Sequence, residues 1–147
     1  MTIKIQHFYN VPESALLPLL DKLKAFNEAA LNSGINKQFF ITATDEDNIE
    51  VGAIYARIRY DWLYIHMLWV DETCRGQGVG TSLINAVEDE ARALGIQRGR
   101  LSTADFSPGF TLYQKLGYQV FAKIPISSFY SIGSDNHTEY LMWKLAL

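Results

Sequence analysis

Three closely spaced glycines follow an apolar run and precede an amphipathic stretch near the middle of the chain. The segment reads Arg75-Gly76-Gln77-Gly78-Val79-Gly80. Glycines at such a junction let the backbone turn tightly and approach a ligand closely. A helix that begins there points its free N–H groups and the positive end of its dipole at the turn, which favours phosphate. Because Arg75 adds a fixed positive charge, the segment predicts a phosphate-bearing ligand, the alternative being a turn with no ligand.

Two common nucleotide-binding motifs do not fit this segment. A Walker loop needs a lysine before its Ser or Thr, and Gly80 precedes Thr81 here. A Rossmann fingerprint has the spacing G-x-G-x-x-G near the first strand of a βαβ unit, whereas this chain has G-x-G-x-G at mid-chain. What remains is R-x-x-G-x-G after the apolar residues 68–70, an arrangement that resembles the acetyl-CoA site of the GCN5-related N-acetyltransferase (GNAT) superfamily.

A second motif supports this resemblance. The segment from Leu112 to Tyr118 reads LYQKLGY, which resembles the L-Y-x-K-x-G-[FY] segment of the same acetyltransferases. The two motifs stand in the family's order, and the gap between them fits one helix and one strand. The chain thus resembles a bacterial, small-molecule-type GNAT member. The resemblance implies an N-acetyltransferase that uses acetyl-CoA as cosubstrate, without a metal, and transfers acetyl directly to a primary amine.

The resemblance also implies how the cosubstrate is held. In this family the pantetheine arm lies between two splayed strands and pairs with one of them like an additional strand, which assigns pantetheine contacts to Leu68, Trp69 and Val70. The pyrophosphate loop maps onto residues 75–80, followed by the first helical turn. The implied loop contacts are Arg75, Gly76, Gln77, Gly78, Val79, Gly80 and Thr81.

Tyr113 is the implied general acid. In many members the tyrosine of the second motif faces the cofactor sulfur and protonates the departing thiolate, and a phenol of pKa ~10 suits that step. The alternative is a tyrosine that only packs in the core.

His66 and Tyr64 are the candidates for the base side. With a period of two and no bulge, residues 62, 64, 66, 68 and 70 would share one face of a strand. Arylalkylamine acetyltransferases carry two histidines at the corresponding positions, and histone-type members carry a glutamate at position 64; this chain departs from both. A histidine of pKa ~6.5 suits a base or a water relay, but a packed histidine is the equal alternative, and Glu72 is a weaker candidate.

One family feature is missing, and one residue is an open question. Many members place an asparagine after the fifth strand; here Ser102, Thr103 or Asp105 could replace its cofactor contact. Cys74 adjoins the phosphate turn, so we expect it to be a bystander rather than an acyl carrier.

The acceptor is expected to be a small-molecule or peptide amine. Its pocket is expected between the first helix, the strand 62–70 and the segment Pro125 to His137, whose members Phe129, Tyr130 and Asp135 could form a wall. An ordinary solvated connection is the alternative for that segment. The mild acidity of the chain suits a cationic amine.

Composition sets the remaining bounds. A chain of 147 residues with 48% apolar and 20% charged residues is expected to form one globular domain over 1–147. Asp61, His66 and Asp71 interrupt the longest apolar run, so no membrane span is expected, and a net charge of −3 gives no reason to bind nucleic acid. The single cysteine fits a reducing cytoplasm. A homodimer is a further expectation, based on an exposed sheet edge near Trp143.

The pattern of elements predicts an α/β GNAT fold. We expect a mixed, mostly antiparallel sheet of seven strands flanked by about four helices, with strands four and five splayed. Asn10 is expected to cap a leucine-rich first helix that Pro18 kinks or splits, and Glu88 is expected on the polar face of the helix 81–94. The predicted strands are 2–8, 38–44, 49–60, 62–70, 97–103, 118–124 and 138–145, with a short helix at 110–116.

Two other functions remain open at this point. One is a protein that binds acyl-CoA without catalysis, as a sensor or interaction module. The other is an acyltransferase with a longer acyl donor or an alcohol acceptor. Tyr113 and His66 argue against the first, since a pure binding protein needs neither.

Overall fold

The structure is a computed structural model that describes residues 1–31, 34–127, 129, 132–133 and 135–147. Within it the chain divides into two compact units, Met1–Gly34 and Ile35–Leu147. The single domain over 1–147 stays a prediction.

Residues 1–31 of the N-terminal unit contain one α-helix. A 3₁₀ turn at Glu13–Leu16 leads directly into helix α1, Leu17–Glu28. Pro18 lies in the first turn of α1, where its missing N–H breaks no hydrogen bond, so the predicted split at this proline is a change from 3₁₀ to α geometry. The sequence also predicts that this helix ends at Asn32-Ser33-Gly34, and of these residues Asn32 and Ser33 lie outside the described ones.

Two sequence predictions for this unit are wrong. Residues 1–8 carry no regular secondary structure, because alternation of apolar residues cannot make a strand without a neighbouring strand to pair with. Asn10 has a positive φ of 56° and does not cap the first turn, whose N-cap is Pro12 without a side-chain hydrogen bond.

The second unit is built on a mixed sheet. In the described part of the chain the sheet has six strands in the order β1-β2-β3-β4-β6-β5, one fewer than predicted. Among the strand pairs of the described residues, only β3–β4 is parallel. The strand bounds are β1 Lys37–Thr44, β2 Glu50–Arg59, β3 Trp62–Val70, β4 Arg98–Ala104, β5 Gln119–Ile126 and β6 His137–Lys144.

Trp143 lies on β6, which is an interior strand between β4 and β5. Its ring stacks on Phe121 of β5 at 4.5 Å and on Trp62 of β3 at 6.4 Å. The sheet edge near Trp143, on which the expected homodimer rested, is therefore absent; sequence order does not reveal that the last strand inserts beside β4.

Two helices complete the second unit, α2 at Val79–Ala93 and α3 at Gly109–Lys115, with a 3₁₀ turn at Glu72–Cys74. The described chain thus has three α-helices rather than about four. The core forms where α2 packs on the sheet, with Ile54, Ile58, Leu63, Ile84, Val87 and Met142 fully buried. None of the helices in the described ranges is both long and apolar enough to cross a membrane.

Glu88 is buried, contrary to the sequence prediction of a solvated position. Its carboxylate accepts hydrogen bonds from the Tyr118 hydroxyl at 3.0 Å and from Lys144 Nζ at 2.9 and 3.1 Å. Arg92, one turn along α2, lies 3.5 Å from the same carboxylate. Lys144 belongs to β6, and Tyr118 is the residue before β5. The helical period of α2 alone therefore could not show that partners from the sheet hydrogen-bond this carboxylate in the protein interior.

Candidate active site

The glycine segment forms the turn that the sequence predicts. Gly76 and Gly78 have positive φ angles of 74° and 86°, in the region that favours glycine, and α2 begins at Val79. The first intrahelical bond runs from the Ser82 N–H to the Gly78 carbonyl at 2.9 Å. The N–H groups of residues 79–81 precede that bond, so helix geometry directs them out of the helix end, where they favour an anion.

The side chains of the loop are partly committed to the loop itself. Arg75 Nε donates to the Val70 carbonyl at 3.2 Å, which ties the loop to the end of β3 and leaves the other guanidinium nitrogens for a ligand. Gln77 Nε2 donates to the Thr73 carbonyl at 3.0 Å. Asp71 accepts from the Thr73 N–H and hydroxyl, and these hydrogen bonds lower the pKa of its carboxyl below the usual range.

A cleft of about 570 Å³ opens beside this turn. It runs between the end of β3, the first turn of α2 and helix α3. All predicted cofactor residues except Gln77 and Val79 line it. Its lining residues are Leu68, Trp69, Val70, Cys74, Arg75, Gly76, Gly78, Gly80, Thr81, Ser107, Pro108, Gly109, Thr111, Leu112, Tyr113 and Lys115.

The strands part where the cleft reaches the sheet. β3 and β4 are in register from Trp62/Arg98 to Ile65/Leu101, and the pairing ends there. Beyond that point, residues 68–70 of β3 keep their partners on β2 only. The splay between the fourth and fifth predicted strands is thus present in the described chain, and it leaves backbone groups of β3 facing the gap.

A β-bulge on β3 overturns the expected alternation of its side chains. Tyr55 pairs with Met67 while Ala56 pairs with Ile65, so His66 is the extra residue. Leu63 and Ile65 point into the core before the bulge, and Leu68 and Val70 pack against the core after it. Tyr64 and Leu68 therefore do not share a face, because the inserted residue reverses the period of two.

The bulge brings His66 and Tyr64 together outside the cleft that Tyr113 lines. Their ring centroids lie 4.0 Å apart, and the Tyr55 ring lies 5.2 Å from His66. Desolvation lowers the pKa of His66, and the charges of Arg57 and Arg100 lower it further. The imidazole is accordingly neutral near pH 7 and able to accept a proton.

Tyr113 is buried in the wall of the cleft. Its side chain is 6% exposed, and burial raises the pKa of its phenol to about 12. Gly109 lies close to the ring, since a Cβ added there would come within 3.0 Å of Cε2. The Tyr118 ring meets it edge-on at 5.9 Å. The phenol is therefore protonated at neutral pH and held by packing on two sides.

The segment after β4 differs from expectation. Asp105 accepts from the Thr138 N–H at 3.1 Å and contacts His137 Nδ1 at 2.9 Å, so it anchors the start of β6. Neither it nor Ser102 nor Thr103 lines the cleft; Ser107 does. The sequence did not predict that Ser107, Thr111 and Lys115 line the cleft, although Lys115 belongs to the second motif and could have been found there.

Cys74 lines the cleft at its loop end, beside Arg75. This is the phosphate end that the sequence predicts for it. In the expected acceptor wall, His137 contacts the Asp105 carboxylate. Its ring also meets the Phe106 ring edge-on, with the two ring centroids 5.0 Å apart. Tyr130 lies outside the described residues.

Comparison with known proteins identifies the family. Residues 6–118 match the acetyltransferase (GNAT) family. The chain belongs to this family. It is an enzyme of the acetyltransferase class, as the sequence predicts, and its α/β fold is the GNAT fold with six described strands.

Individual relatives of this GNAT chain agree. It is 30% identical over 113 residues to acetyltransferase Atu2258 of Agrobacterium fabrum, covering 76% of this chain and 82% of that protein. It is 40% identical over 76 residues to blasticidin-S acetyltransferase of Streptomyces morookaense, covering 50% of this chain. That match spans 54%, about half, of the relative's own length.

Solved structures show the same fold. An acetyltransferase from Bacillus cereus ATCC 14579 superposes with a TM-score of 0.76 at 22% identity, covering 95% of this chain and 96% of the other. The PaiA N-acetyltransferase from Thermoplasma acidophilum, solved in complex with coenzyme A, gives 0.60 at 21% identity, covering 92% and 80%.

Proposed function

We propose that this chain transfers the acetyl group of acetyl-CoA directly to a primary amine of a small molecule or peptide. The observation that carries the proposal is the cleft itself: one end is a glycine turn at a helix N-terminus, one side is a parted strand, and a buried protonated tyrosine lies in its wall. Membership of the GNAT family supports the same activity.

The residues present fit coenzyme A. The N–H groups at the start of α2 and the charge of Arg75 would hold the pyrophosphate. Gly80 lets Leu112 of α3 approach the start of α2 closely, since a Cβ at position 80 would come within 2.8 Å of Leu112 Cδ2. The backbone of residues 68–70, free on the β4 side, would pair with the amides of the pantetheine arm.

When bound, acetyl-CoA supplies the acetyl group as a thioester that a neutral amine can attack. Tyr113 then donates its proton to the departing sulfur, which its raised pKa permits because the phenol stays protonated at neutral pH. His66, which lies outside the cleft at the point where β3 and β4 part, accepts the proton of the amine through water, since its lowered pKa keeps the imidazole neutral. Cys74, at the phosphate end, takes no part in this step.

The amine class is the open part of the proposal. The relative named for blasticidin S suggests that compound as one acceptor to test, beside polyamines, arylalkylamines, aminoglycosides, amino acids and peptide N-termini. A cytoplasmic location stays a prediction, and so does a homodimer, whose interface would have to lie elsewhere than at Trp143 because β6 is an interior strand.

The decisive experiment measures CoA thiol release from acetyl-CoA against this amine panel, with a direct acetyl-CoA titration beside it. We expect micromolar to millimolar acetyl-CoA binding and turnover with at least one amine class. Binding without turnover on every amine would favour the sensor or interaction module. Turnover only with a longer acyl-CoA would favour the alternative donor, and failure to bind acetyl-CoA would refute the proposal.

A further inference from the structure

Two arginines flank a tyrosine in one row across the sheet. Arg57 of β2 is in register with Tyr64 of β3, and Tyr64 is in register with Arg100 of β4. We call these three residues the arginine row. Their strand neighbours Ile58, Leu63 and Leu101 are buried in the core, so strand alternation places the row on the opposite face of the sheet. The Arg100 guanidinium lies 4.6 Å above the centroid of the Tyr64 ring.

Within the described part of the unit Ile35–Leu147, the two cations of the row have no acidic partner. Arg92 and Arg98 form ion pairs with carboxylates, whereas no ion pair there involves Arg57 or Arg100. Arg57 Nε is moreover buried without a hydrogen-bond partner among the described residues. A buried guanidinium N–H that lacks an acceptor is costly, and an anionic oxygen is the group that satisfies it best.

The arginine row lies next to the point where β3 and β4 part. Tyr64 and Arg100 stand one residue before Ile65 and Leu101, the last pair before the strands part. His66 follows in the bulge, close enough that both arginines lower its pKa. Two residues along a strand span about 7 Å, so an anion at the row and an amine at the gap can belong to one small molecule.

We propose that the acceptor carries an acid group, a carboxylate or a phosphate, which the arginine row binds while the amine of the same molecule reaches the gap between β3 and β4. The proposal rests on the proposed function. It replaces a purely cationic amine, which the mild acidity of the chain suggests, with an amine that also bears an anion.

The test compares matched acceptors of equal chain length: aminocarboxylic acids, their uncharged amides, and aminoalkyl phosphates. For the wild type we expect the acid-bearing member to exceed its uncharged counterpart in kcat/KM by about 10- to 100-fold. Preference for the carboxylate or for the phosphate identifies which anion is bound. Equal kcat/KM for charged and uncharged members would overturn the proposal without touching acetyl-CoA turnover.

Variants locate the effect. Arg57→Gln and Arg100→Gln should abolish the preference while leaving the acetyl-CoA KM unchanged. Arg59→Gln is the matched control, because Arg59 follows on the same strand and face but lies over Tyr60 and outside the row. Loss of the preference in the control, or its survival in Arg100→Gln, would contradict the assignment. Arg100 is exposed, so its variant carries the test if Arg57→Gln does not fold.

A readout without turnover decides the case in which no tested amine is acetylated. The Nε–H signal of Arg57 is followed by ¹⁵N NMR during titration with N-acetylglycine, N-acetylglycinamide or O-phosphoethanolamine. A change in the chemical shift of this signal with an acid probe, and not with the amide, supports the proposal. A signal whose chemical shift no acid probe changes overturns it. Failure of the proposed function is recognised separately, by the absence of acetyl-CoA binding.

Discussion

Burial determines what Tyr113 can do. Its phenol keeps its proton well past neutral pH because the ionised form would lie among the side chains that line the cleft. We expect Tyr113→Phe to lower kcat about 100-fold or more while the Kd for acetyl-CoA stays within about twofold, because only the proton donor is lost. Steady-state kinetics and a binding titration on the same preparation check both values.

Tyr118→Phe is the matched control for that substitution. Its phenol is also buried, but its hydrogen bond goes to Glu88 and it does not line the cleft. We expect this variant to lose stability and to keep kcat within about tenfold of the wild type. If both variants lost kcat equally, the effect would come from packing of the two rings, and the acid role of Tyr113 would be rejected.

At the scale of the element, the turn before α2 works through backbone geometry. Gly78 and Gly95 stand before and after this helix, both with positive φ, at 86° and 78°, and with open space where a Cβ would go. Alanine at either position should cost roughly 1–2 kcal/mol of stability from the left-handed backbone alone. We expect only Gly78→Ala to weaken acetyl-CoA binding, about tenfold, because only this turn aims the N–H groups of α2 at the cleft.

The comparison separates binding from folding. Denaturant titrations should give similar losses for the two variants, and isothermal titration with acetyl-CoA should distinguish them. An unchanged Kd for Gly78→Ala, or an equal loss for Gly95→Ala, would show that the glycine turn does not hold the ligand.

At the scale of the whole molecule, the buried contacts of Glu88 join α2 to β6 and to the start of β5. Glu88→Gln leaves Lys144 and Arg92 without their carboxylate, so we expect a loss of about 2–4 kcal/mol in the free energy of unfolding. Glu90→Gln, exposed on the same helix, should change it by less than about 0.5 kcal/mol. Urea unfolding followed by circular dichroism checks both values. Equal losses would show that the buried contacts of Glu88 stabilise the fold no more than an exposed carboxylate does.

The same region makes stability sensitive to alkali. Burial raises the pKa of both Tyr113 and Tyr118 above that of an unfolded phenol, so the unfolded chain releases these protons first as the pH rises past about 10. We expect each phenol to lower the free energy of unfolding by about 1 kcal/mol by pH 11. Tyr118→Phe should therefore make the decline in this free energy between pH 9 and 11 less steep. A slope that this substitution leaves unchanged would contradict the expectation.

The sequence predicted elements whose pattern is local and missed features that depend on distant partners. Strand 62–70 and the turn at Arg75–Gly80 are encoded by periodicity and glycine spacing, so they form where expected. The bulge at His66 depends on the register with β2, and the burial of Glu88 depends on Lys144 and Tyr118. Likewise, the sequence does not show that Ser107 and Lys115 line the cleft, because this depends on the close approach of Leu112 of α3 to Gly80 of α2.

The parted strands have one more consequence. On its β4 side, the end of β3 presents backbone donors and acceptors inside the sheet, and any extended chain of suitable shape can pair with them, including a strand of another copy. Coenzyme A bound along the β4 side of β3 would prevent a strand of another copy from pairing there. The ligand would then protect this edge from aggregation. We expect heat-induced aggregation to decrease as the fraction of protein bound to coenzyme A increases.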